Sequence, residues 1–262
     1  MNELIIALAG LITGMTTVLF GFGGGFVVVP FVYQLFLRQP SLADHALHCA
    51  VATSTAVMVF NAGWATYKHY RAGNLSVSLL LPLCSFIGGG AVIGSLLAGR
   101  LHEETVRVLF ILYMLITISD CLFSRRFLKE SAQRELSPLT RKVGGVVIGV
   151  VAALLGVGGS VMTVPLLRRH GYSMKACVAM ANALSLPVAL CATLIYALSD
   201  WGTIPGGGFV GDIHLPTLAI LVVTGWCGMV ISQRYLPKIA DLWHARIYVL
   251  LLIVVLIAMI AV

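Results

Sequence analysis

Long apolar runs joined by short polar connectors dominate this chain and restrict the folds open to it. They cover roughly residues 3–37, 46–67, 76–99, 105–124, 143–169, 175–198, 215–233 and 245–262. A helix needs about 20 apolar residues to cross a bilayer, so each run is long enough for at least one crossing. Only 10% of the residues are charged, against roughly 25% in soluble domains. The sequence therefore predicts an all-α membrane protein, a polytopic helical bundle with the lipid bilayer as partner and no nucleic acid.

An internal duplication divides the chain into two halves. The first contains TGMTTVLFGFGGGFVVVP and the second IGVVAALLGVGGSVMTVP. At a constant offset of 135, six positions coincide without a gap: Gly10, Gly14, Gly21, Gly23, Gly24 and Pro30 fall on Gly145, Gly149, Gly156, Gly158, Gly159 and Pro165. This match predicts a first repeat over 1–124, a basic linker over 125–142 and a second repeat over 143–262.

The basic residues predict how the two halves are oriented, because lysine and arginine prefer cytoplasmic loops. If each of the eight runs crosses once, the two sides hold 8 and 9 basic residues, which is no bias. If 3–37 and 143–169 each turn back at their glycines, the sides hold 3 and 14. The second arrangement predicts inverted repeats in a bacterial inner membrane. The Ser124–Lys142 loop is then cytoplasmic, and both termini lie outside.

The glycine clusters are the strongest motifs, GFGGGFVVVP at Gly21–Pro30 and GVGGSVMTVP at Gly156–Pro165. Clustered glycines break helices, and neither cluster has the spacing of a nucleotide-binding loop. Close packing of continuous helices is the alternative interpretation. We expect breaks, with the second arms beginning near Gly25–Phe26 and Ser160–Val161. The pattern leaves open whether the broken segments are re-entrant or cross fully.

A helix that begins inside the membrane presents free N–H groups and the positive end of its dipole. Such an end binds an anion without a buried arginine, and paired broken helices in inverted repeats are typical of transporters. The predicted substrate-binding residues at the breaks are Gly23, Gly24, Gly25, Phe26, Gly158, Gly159 and Ser160.

Small polar residues inside the spans extend this predicted site. Thr53–Ser54 and Ala181–Asn182 occupy matching positions of the repeat, and the remaining candidates are Asn61 and Ser185. Hydrogen bonds between helices, or back to a helix's own backbone, are the structural alternative. His48 and Asp120 are candidates for carrying a coupling proton. The six cysteines form no C-x-x-C pair, and we expect neither a metal nor a cofactor.

These motifs together resemble the sulfite exporter TauE/SafE family. The resemblance rests on the G-x-G-G-G/S…P element in each half, the small polar stretches, and the glycine-bearing third helices GGGAVIG and TGWCGMV. It implies transport of sulfite, sulfonates or other organosulfur or organic anions. Ser160 and Ala181–Asn182 depart from the family pattern, which bears on the identity of the substrate.

The sequence thus predicts a secondary transporter, a permease or exporter for a small anion working by alternating access. An anion channel is the first alternative, and an accessory subunit of a membrane enzyme is the second. We expect no enzyme, because Asp120 is the only acidic residue well inside a span and no H-E-x-x-H motif occurs. Coupling to a proton or another cation, and a homo-oligomer, are compatible with this interpretation.

Overall fold

The computed structural model describes residues 2–40, 42–123, 134, 136–199, 207–235 and 240–261, and these form ten α-helices and one small hairpin. The helices are α1 Asn2–Phe20, α2 Gly25–Leu37, α3 Ala46–Arg71, α4 Val77–Ala98, α5 Glu103–Phe123, α6 Gly145–Leu155, α7 Ser160–Arg169, α8 Met174–Leu198, α9 Leu215–Tyr235 and α10 Asp241–Ile260. Strands β1 Phe209–Val210 and β2 Ile213–His214 pair antiparallel. The prediction of an all-α protein is confirmed. Most of the Ser124–Lys142 loop lies outside the described residues.

Seven of these helices are long and apolar enough to span a membrane: α1, α3, α4, α5, α8, α9 and α10. The chain is therefore a multi-pass membrane protein. The remaining helices, α2, α6 and α7, have 13, 11 and 10 residues, and α6 directly continues a π-helical turn, Thr140–Gly144. At 1.5 Å per residue α2 and α7 extend about 15–20 Å, well short of a hydrocarbon core of about 30 Å. They are the second arms of the two glycine-broken segments.

Both predicted breaks occur at the glycine clusters. Helix α1 ends at Phe20 and α2 begins at Gly25, while α6 ends at Leu155 and α7 begins at Ser160. The connecting glycines Gly21, Gly23, Gly24, Gly156 and Gly158 have φ angles of 75°, 63°, 101°, 66° and 69°. Residues with a Cβ rarely adopt this left-handed region, so the helix can break there only because glycine stands at these positions.

The two halves are interleaved, because the first helix of each packs on the fourth helix of the other. A Cβ at Gly14 of α1 would lie 1.9 Å from the Gly225 carbonyl oxygen of α9. A Cβ at Gly94 of α4 would lie 2.2 Å from the Val150 carbonyl oxygen of α6. Small residues allow this backbone approach within a membrane. Helices α3 and α8 pack against each other in the centre and separate these two pairs.

The second arms of the broken segments end at opposite ends of the bundle. Gln34, near the end of α2, donates a 2.9 Å hydrogen bond to the Ala258 carbonyl oxygen near the end of α10. Arg168, near the end of α7, forms a 2.5 Å ion pair with Asp241 at the start of α10. Since α10 has 20 residues, these contacts lie about 25–30 Å apart. We call these two ends the Ala258 end and the Asp241 end.

The adjacent glycines Gly89 and Gly90 provide a test of the contact between α4 and α6. A Cβ at Gly90 would lie 2.2 Å from the Val146 carbonyl oxygen, whereas a Cβ at Gly89 would meet nothing within 4 Å. We expect Gly90→Ala to lower the melting temperature by several degrees, because overpacking costs about 1–3 kcal/mol. Gly89→Ala should leave it unchanged or raise it, since alanine favours helix by about 0.8–1.0 kcal/mol. Thermal unfolding in detergent measures both, and equal melting temperatures would contradict this packing.

Candidate functional site

The twelve predicted substrate-binding residues are all buried in the middle of the bundle. These residues belong to the two breaks and to helices α3 and α8, and none of the twelve is charged. The seven of them with polar side chains or aromatic rings have no exposed surface: Phe26, Thr53, Ser54, Asn61, Ser160, Asn182 and Ser185. The site is therefore closed to solvent in this conformation.

Ser54 of α3 links the two breaks directly. Its hydroxyl oxygen lies 2.8 Å from the Gly156 carbonyl oxygen and 3.2 Å from the Gly25 carbonyl oxygen. A Cβ at Gly25 would lie only 2.5 Å from the Gly156 carbonyl oxygen. The N-terminus of α2 thus abuts the C-terminal end of α6, and Ser54 supplies a donor to the last carbonyl groups of α6.

Asn182 performs the corresponding role in the other half. Its side-chain amide donates a 3.2 Å hydrogen bond to the carbonyl oxygen of Thr17, in the last turn of α1. Ser54 and Asn182 occupy matching positions of the repeat, and each satisfies a C-terminal carbonyl of the opposite half's first arm. The carbonyl oxygen of the Asn182 side chain has no hydrogen-bond partner among the described residues.

Ser185 and Met58 lie between the two breaks and contact both. A Cβ at Gly158 would lie 2.9 Å from the Met58 sulfur and 3.0 Å from the Ser185 hydroxyl oxygen. A Cβ at Gly23 would lie 3.6 Å from the same sulfur and 3.4 Å from the Ser185 Cβ. Sequence reasoning missed Met58, although it follows Ser54 by one helical turn and so shares its face. A methionine gives the site a flexible, polarisable wall.

Asn61 is the most unusual member of the site, because it is fully buried and both its amide atoms lack a partner in the described part of the chain. A Cβ at Gly24, the residue before α2, would lie 2.9 Å from the Asn61 amide nitrogen. The hydroxyl groups of Thr13 and Ser160 are likewise buried and unpartnered there. Unpaired buried polar groups are rare, and several at the two breaks indicate a place for a polar ligand or water.

Helices α2 and α7 both begin in this buried region, and within the described parts of the chain no side chain caps either of them. Gly24 and Gly159 stand at their N-caps, where neither offers a side-chain acceptor. The N–H groups of a first turn have no partner within their own helix, and the dipole places partial positive charge there. The arrangement provides two uncharged, electropositive ends in an apolar setting. Such ends can hold an anion.

A short aromatic stack connects the beginnings of these two helices. The Phe26 ring lies 4.6 Å from the Phe22 ring, and the Phe22 ring lies 5.2 Å from that of Tyr248. The Tyr248 hydroxyl donates a 3.2 Å hydrogen bond to the Val161 carbonyl oxygen in the first turn of α7. Phe26 thus forms part of the wall of the site.

Thr53 faces the hairpin at the Ala258 end, where its hydroxyl accepts a 3.1 Å hydrogen bond from the backbone N–H of His214. In the same hairpin, burial raises the pKa of Asp212, opposed by a hydrogen bond from Ser199 and by the nearby His48 and His45. Burial lowers the pKa of His214, so its imidazole is neutral at physiological pH. The hairpin lies over this side of the site.

The two coupling candidates lie at opposite ends of the bundle, and the structure does not bring either to the breaks. At the Ala258 end, His48 Nδ1 lies 3.1 Å from Glu103 Oε1. At the Asp241 end, Asp120 Oδ1 lies 2.7 Å from Arg169 Nη2. The Asp120–Arg169 contact is an ion pair, and the His48–Glu103 contact becomes one when His48 is protonated.

Comparison with known families matches residues 6–259 to the family described as "Sulfite exporter TauE/SafE". The chain belongs to this family. It is 24% identical to a "Probable membrane transporter protein" of Haemophilus influenzae over 98% of the chain and 97% of that protein. It is 29% identical to "Probable membrane transporter protein YdhB" of Bacillus subtilis, over 90% of the chain and 91% of the relative.

A third relative, a "Probable membrane transporter protein" of Methanocaldococcus jannaschii, is 25% identical over 93% of the chain and 89% of its own length. No solved structure matches the chain. The family and the names of its relatives indicate a membrane transporter rather than an enzyme.

Substituting Ser54 tests the link between the breaks. Ser54→Ala leaves the Gly156 carbonyl oxygen without this donor, and a buried unsatisfied group costs about 1–3 kcal/mol. We expect the melting temperature in detergent to fall by several degrees, since about 1 kcal/mol corresponds to roughly 2–4 °C at this size. The control is Ser85→Ala, because Ser85 is exposed and bonds only the local Pro82 carbonyl oxygen. Equal melting temperatures for the two variants would show that Ser54 does not hold the breaks together.

Proposed function

We propose that this protein is a secondary transporter that moves a small anion by alternating access, with the anion bound at the two helix breaks. The observation that carries the proposal is the pair of uncapped N-termini of α2 and α7, buried together beside unpaired amide and hydroxyl groups. The substrate-binding residues would be those predicted from the sequence, with Met58 added.

Sulfite, a sulfonate or another organosulfur or organic anion is the proposed substrate. Oxyanions of this kind present several acceptors, which match N–H groups converging from two helices and from the Asn61 amide. A site without arginine or lysine binds the anion less tightly than an ion pair would. Weak binding of this kind allows the anion to be released on the far side.

We further propose that the halves are inverted repeats, 1–124 and 143–262, joined by a cytoplasmic linker over 125–142. Equivalent helices of the two halves make equivalent contacts. The packing of α1 on α9 corresponds to that of α6 on α4, and the packing of α2 on α3 corresponds to that of α7 on α8. The opposite ends reached by α2 and α7 support the inversion. In a bacterial inner membrane, the positive-inside rule would then make the Asp241 end cytoplasmic.

Different contacts close the site towards each end, as alternating access requires. Towards the Ala258 end, the hairpin is held over Thr53 by His214, and His48 pairs with Glu103. Towards the Asp241 end, Asp241 pairs with Arg168 and accepts a 2.7 Å hydrogen bond from the Met174 N–H. Opening either end would break one of these sets and leave the other intact.

His48 and Asp120 are the proposed proton carriers if transport is coupled. Each contacts a partner at one of the two closed ends. Protonation of Asp120 would weaken its ion pair with Arg169, and loss of the proton from His48 would weaken its contact with Glu103. Export requires no coupling, because a membrane potential that is negative inside drives a monovalent anion outwards by about 2.3 kcal/mol per 100 mV.

Proteoliposome flux tests the proposed function. We expect saturable uptake of labelled sulfite that follows an imposed potential, and its loss in Gly25→Ala, whose Cβ would lie 2.5 Å from the Gly156 carbonyl oxygen. Gly89→Ala is the matched control that retains flux. Flux that never saturates would indicate a channel. The absence of flux for both sulfite and sulfonates, at any pH gradient, would contradict transport of this anion class.

Cysteine labelling tests the inverted arrangement. In a background with the exposed Cys227 changed to serine, we expect Arg38→Cys to react with an impermeant maleimide in spheroplasts. Lys175→Cys should react only in inside-out vesicles. Both positions are exposed and follow the ends of α2 and α7. Labelling of both from the same side would show that the halves are not inverted.

A further inference from the structure

The hairpin at the Ala258 end is attached to helices α8, α3 and α2. In its turn, the backbone N–H of Asp212 donates a 3.1 Å hydrogen bond to the Tyr196 carbonyl oxygen of α8. In its second strand, the N–H of His214 donates to the Thr53 hydroxyl of α3, also at 3.1 Å. The His214 ring lies edge-on to Phe36 near the end of α2, with 5.5 Å between the ring centres. Because Thr53 is fully buried, the hairpin covers this side of the site.

The His214 side chain also caps the helix that follows the hairpin. His214 stands directly before α9, at its N-cap position. Its Nδ1 lies 3.4 Å from the backbone nitrogen of Thr217, the third residue of α9, and 2.7 Å from the Thr217 hydroxyl oxygen. A backbone N–H can only donate, so Nδ1 is the acceptor and the proton of the neutral ring is assigned to Nε2. One ring nitrogen thus joins the hairpin to the first turn of α9, as a serine or asparagine oxygen does at other N-caps.

A proton on Nδ1 would remove this cap. Both nitrogens of an imidazolium are donors, so Nδ1 would face the Thr217 N–H as donor against donor, although it could still donate to the hydroxyl. The ring would also place a positive charge at the positive end of the α9 dipole. Charge on His214 therefore opposes the arrangement in which the hairpin covers Thr53.

The groups packed around the His214 ring carry no charge. The Phe209 ring of the hairpin and the Phe36 ring of α2 lie 4.7 and 5.5 Å from it, and α3 and α9 contribute threonine hydroxyls. Within the described part of the chain, burial alone lowers the pKa of His214. The carboxylate of Glu103 at this end is engaged by His48 instead. The titration of His214 is therefore governed by its own burial and its cap.

Asp212, in the turn of the same hairpin, responds to acid in the opposite direction. Burial raises the pKa of its carboxyl group, opposed by the hydrogen bond from Ser199 and by the nearby His48 and His45. The docked hairpin thus holds the Asp212 proton more tightly than a released one would, and acid favours docking through this group. The lowered pKa of His214 means the reverse, so acid favours release as the pH falls through about 6.5, the ordinary value for histidine. The sign of the pH response distinguishes the two groups.

We propose that His214 is a proton-sensitive latch that holds the hairpin over the Ala258 side of the anion site. While the ring is neutral, Nδ1 caps α9 and the hairpin stays docked on Thr53. The ring is half-buried and takes up a proton from the Ala258 side. The cap is then lost, and the hairpin moves away from Thr53 and opens the site towards that end. This inference rests on the proposed anion transport and adds how acid on one side controls access to the site.

Hydrogen–deuterium exchange of the full-length protein in nanodiscs tests the latch. The backbone N–H groups of Asp212, His214 and Leu215 all donate to identified acceptors. Their protection, corrected for the intrinsic exchange rate at each pH, therefore reports the docked fraction of the hairpin. We expect this protection to fall at least about threefold from about pH 7.5 to about pH 5, while amides within α4 keep theirs.

Substitutions at three positions assign the response to His214. His214→Asn should retain the protection and lose its fall in acid, because an asparagine side chain caps a helix but does not titrate. His214→Ala should be poorly protected at both pH values, since it has no acceptor. Asp212→Asn should keep the fall, because it removes only the opposing titration. The matched control is His102→Asn, which changes an exposed histidine directly before α5 and should behave as the wild type.

Two results would overturn the latch. One is hairpin protection that stays constant or rises on acidification, and the other is a wild-type response in His214→Asn. Flux of labelled methanesulfonate, which stays ionised over this pH range, separates the latch from the transport function. Flux without a pH response of the hairpin removes only the latch. A hairpin that responds as expected, without flux of methanesulfonate or sulfite, removes the transport function and leaves the latch.

Discussion

The hydrogen bonding of backbone groups at the two helix breaks governs the rest of this structure. Where a helix breaks inside a membrane, the last carbonyl groups of the first arm and the first N–H groups of the second arm lack partners within their own helix. They also lie away from bulk water. Ser54 and Asn182 donate to carbonyls of the first arms, each from the central helix of the opposite half. The N–H groups of α2 and α7 receive no side-chain cap. The fold thus supplies donors to these carbonyl groups and leaves the N–H groups of the two first turns without a side-chain partner, as the proposed anion site requires.

The same breaks separate the contacts of the two second arms. Because α2 and α7 end at opposite ends of the bundle, their contacts with α10 lie near its two ends. The site itself lies where the halves touch, with Met58 and Ser185 against both glycine clusters. In the proposed transport cycle, a shift of one half relative to the other would therefore act on the site and on the contacts at one end together. This is the geometry expected when rocking of two repeats around a central site exposes it to each side in turn.

Local sequence predicted the parts of this fold that depend on local chemistry. The left-handed φ angles at Gly21 and Gly156 require glycine, so the clusters indicated the breaks and the first residues of the arms that follow. The span bounds also agree closely, with 46–67 expected and Ala46–Arg71 observed for α3. Contacts between residues that are far apart in the sequence leave no local pattern from which they could be predicted. The pairing of His48 with Glu103, the hydrogen bond from His214 to Thr53 and the position of Met58 depend on how whole helices pack. The cost of burying the Asn61 amide in a membrane could be expected from the sequence, but its lack of a partner depends on how α1, α3 and α9 pack around it.

The interleaving of the halves also constrains the order in which the protein can assemble. Helix α1 leaves the ribosome first, yet the partner that its glycine face fits, at Gly225 and Gly228, is almost the last helix to be made. Until then the glycine face of α1 has only lipid or a temporary neighbour, and α4 likewise waits for α6. Native packing of the first half must therefore follow insertion of the second. The insertion machinery or the bilayer has to hold a loosely packed intermediate for most of the time that synthesis takes.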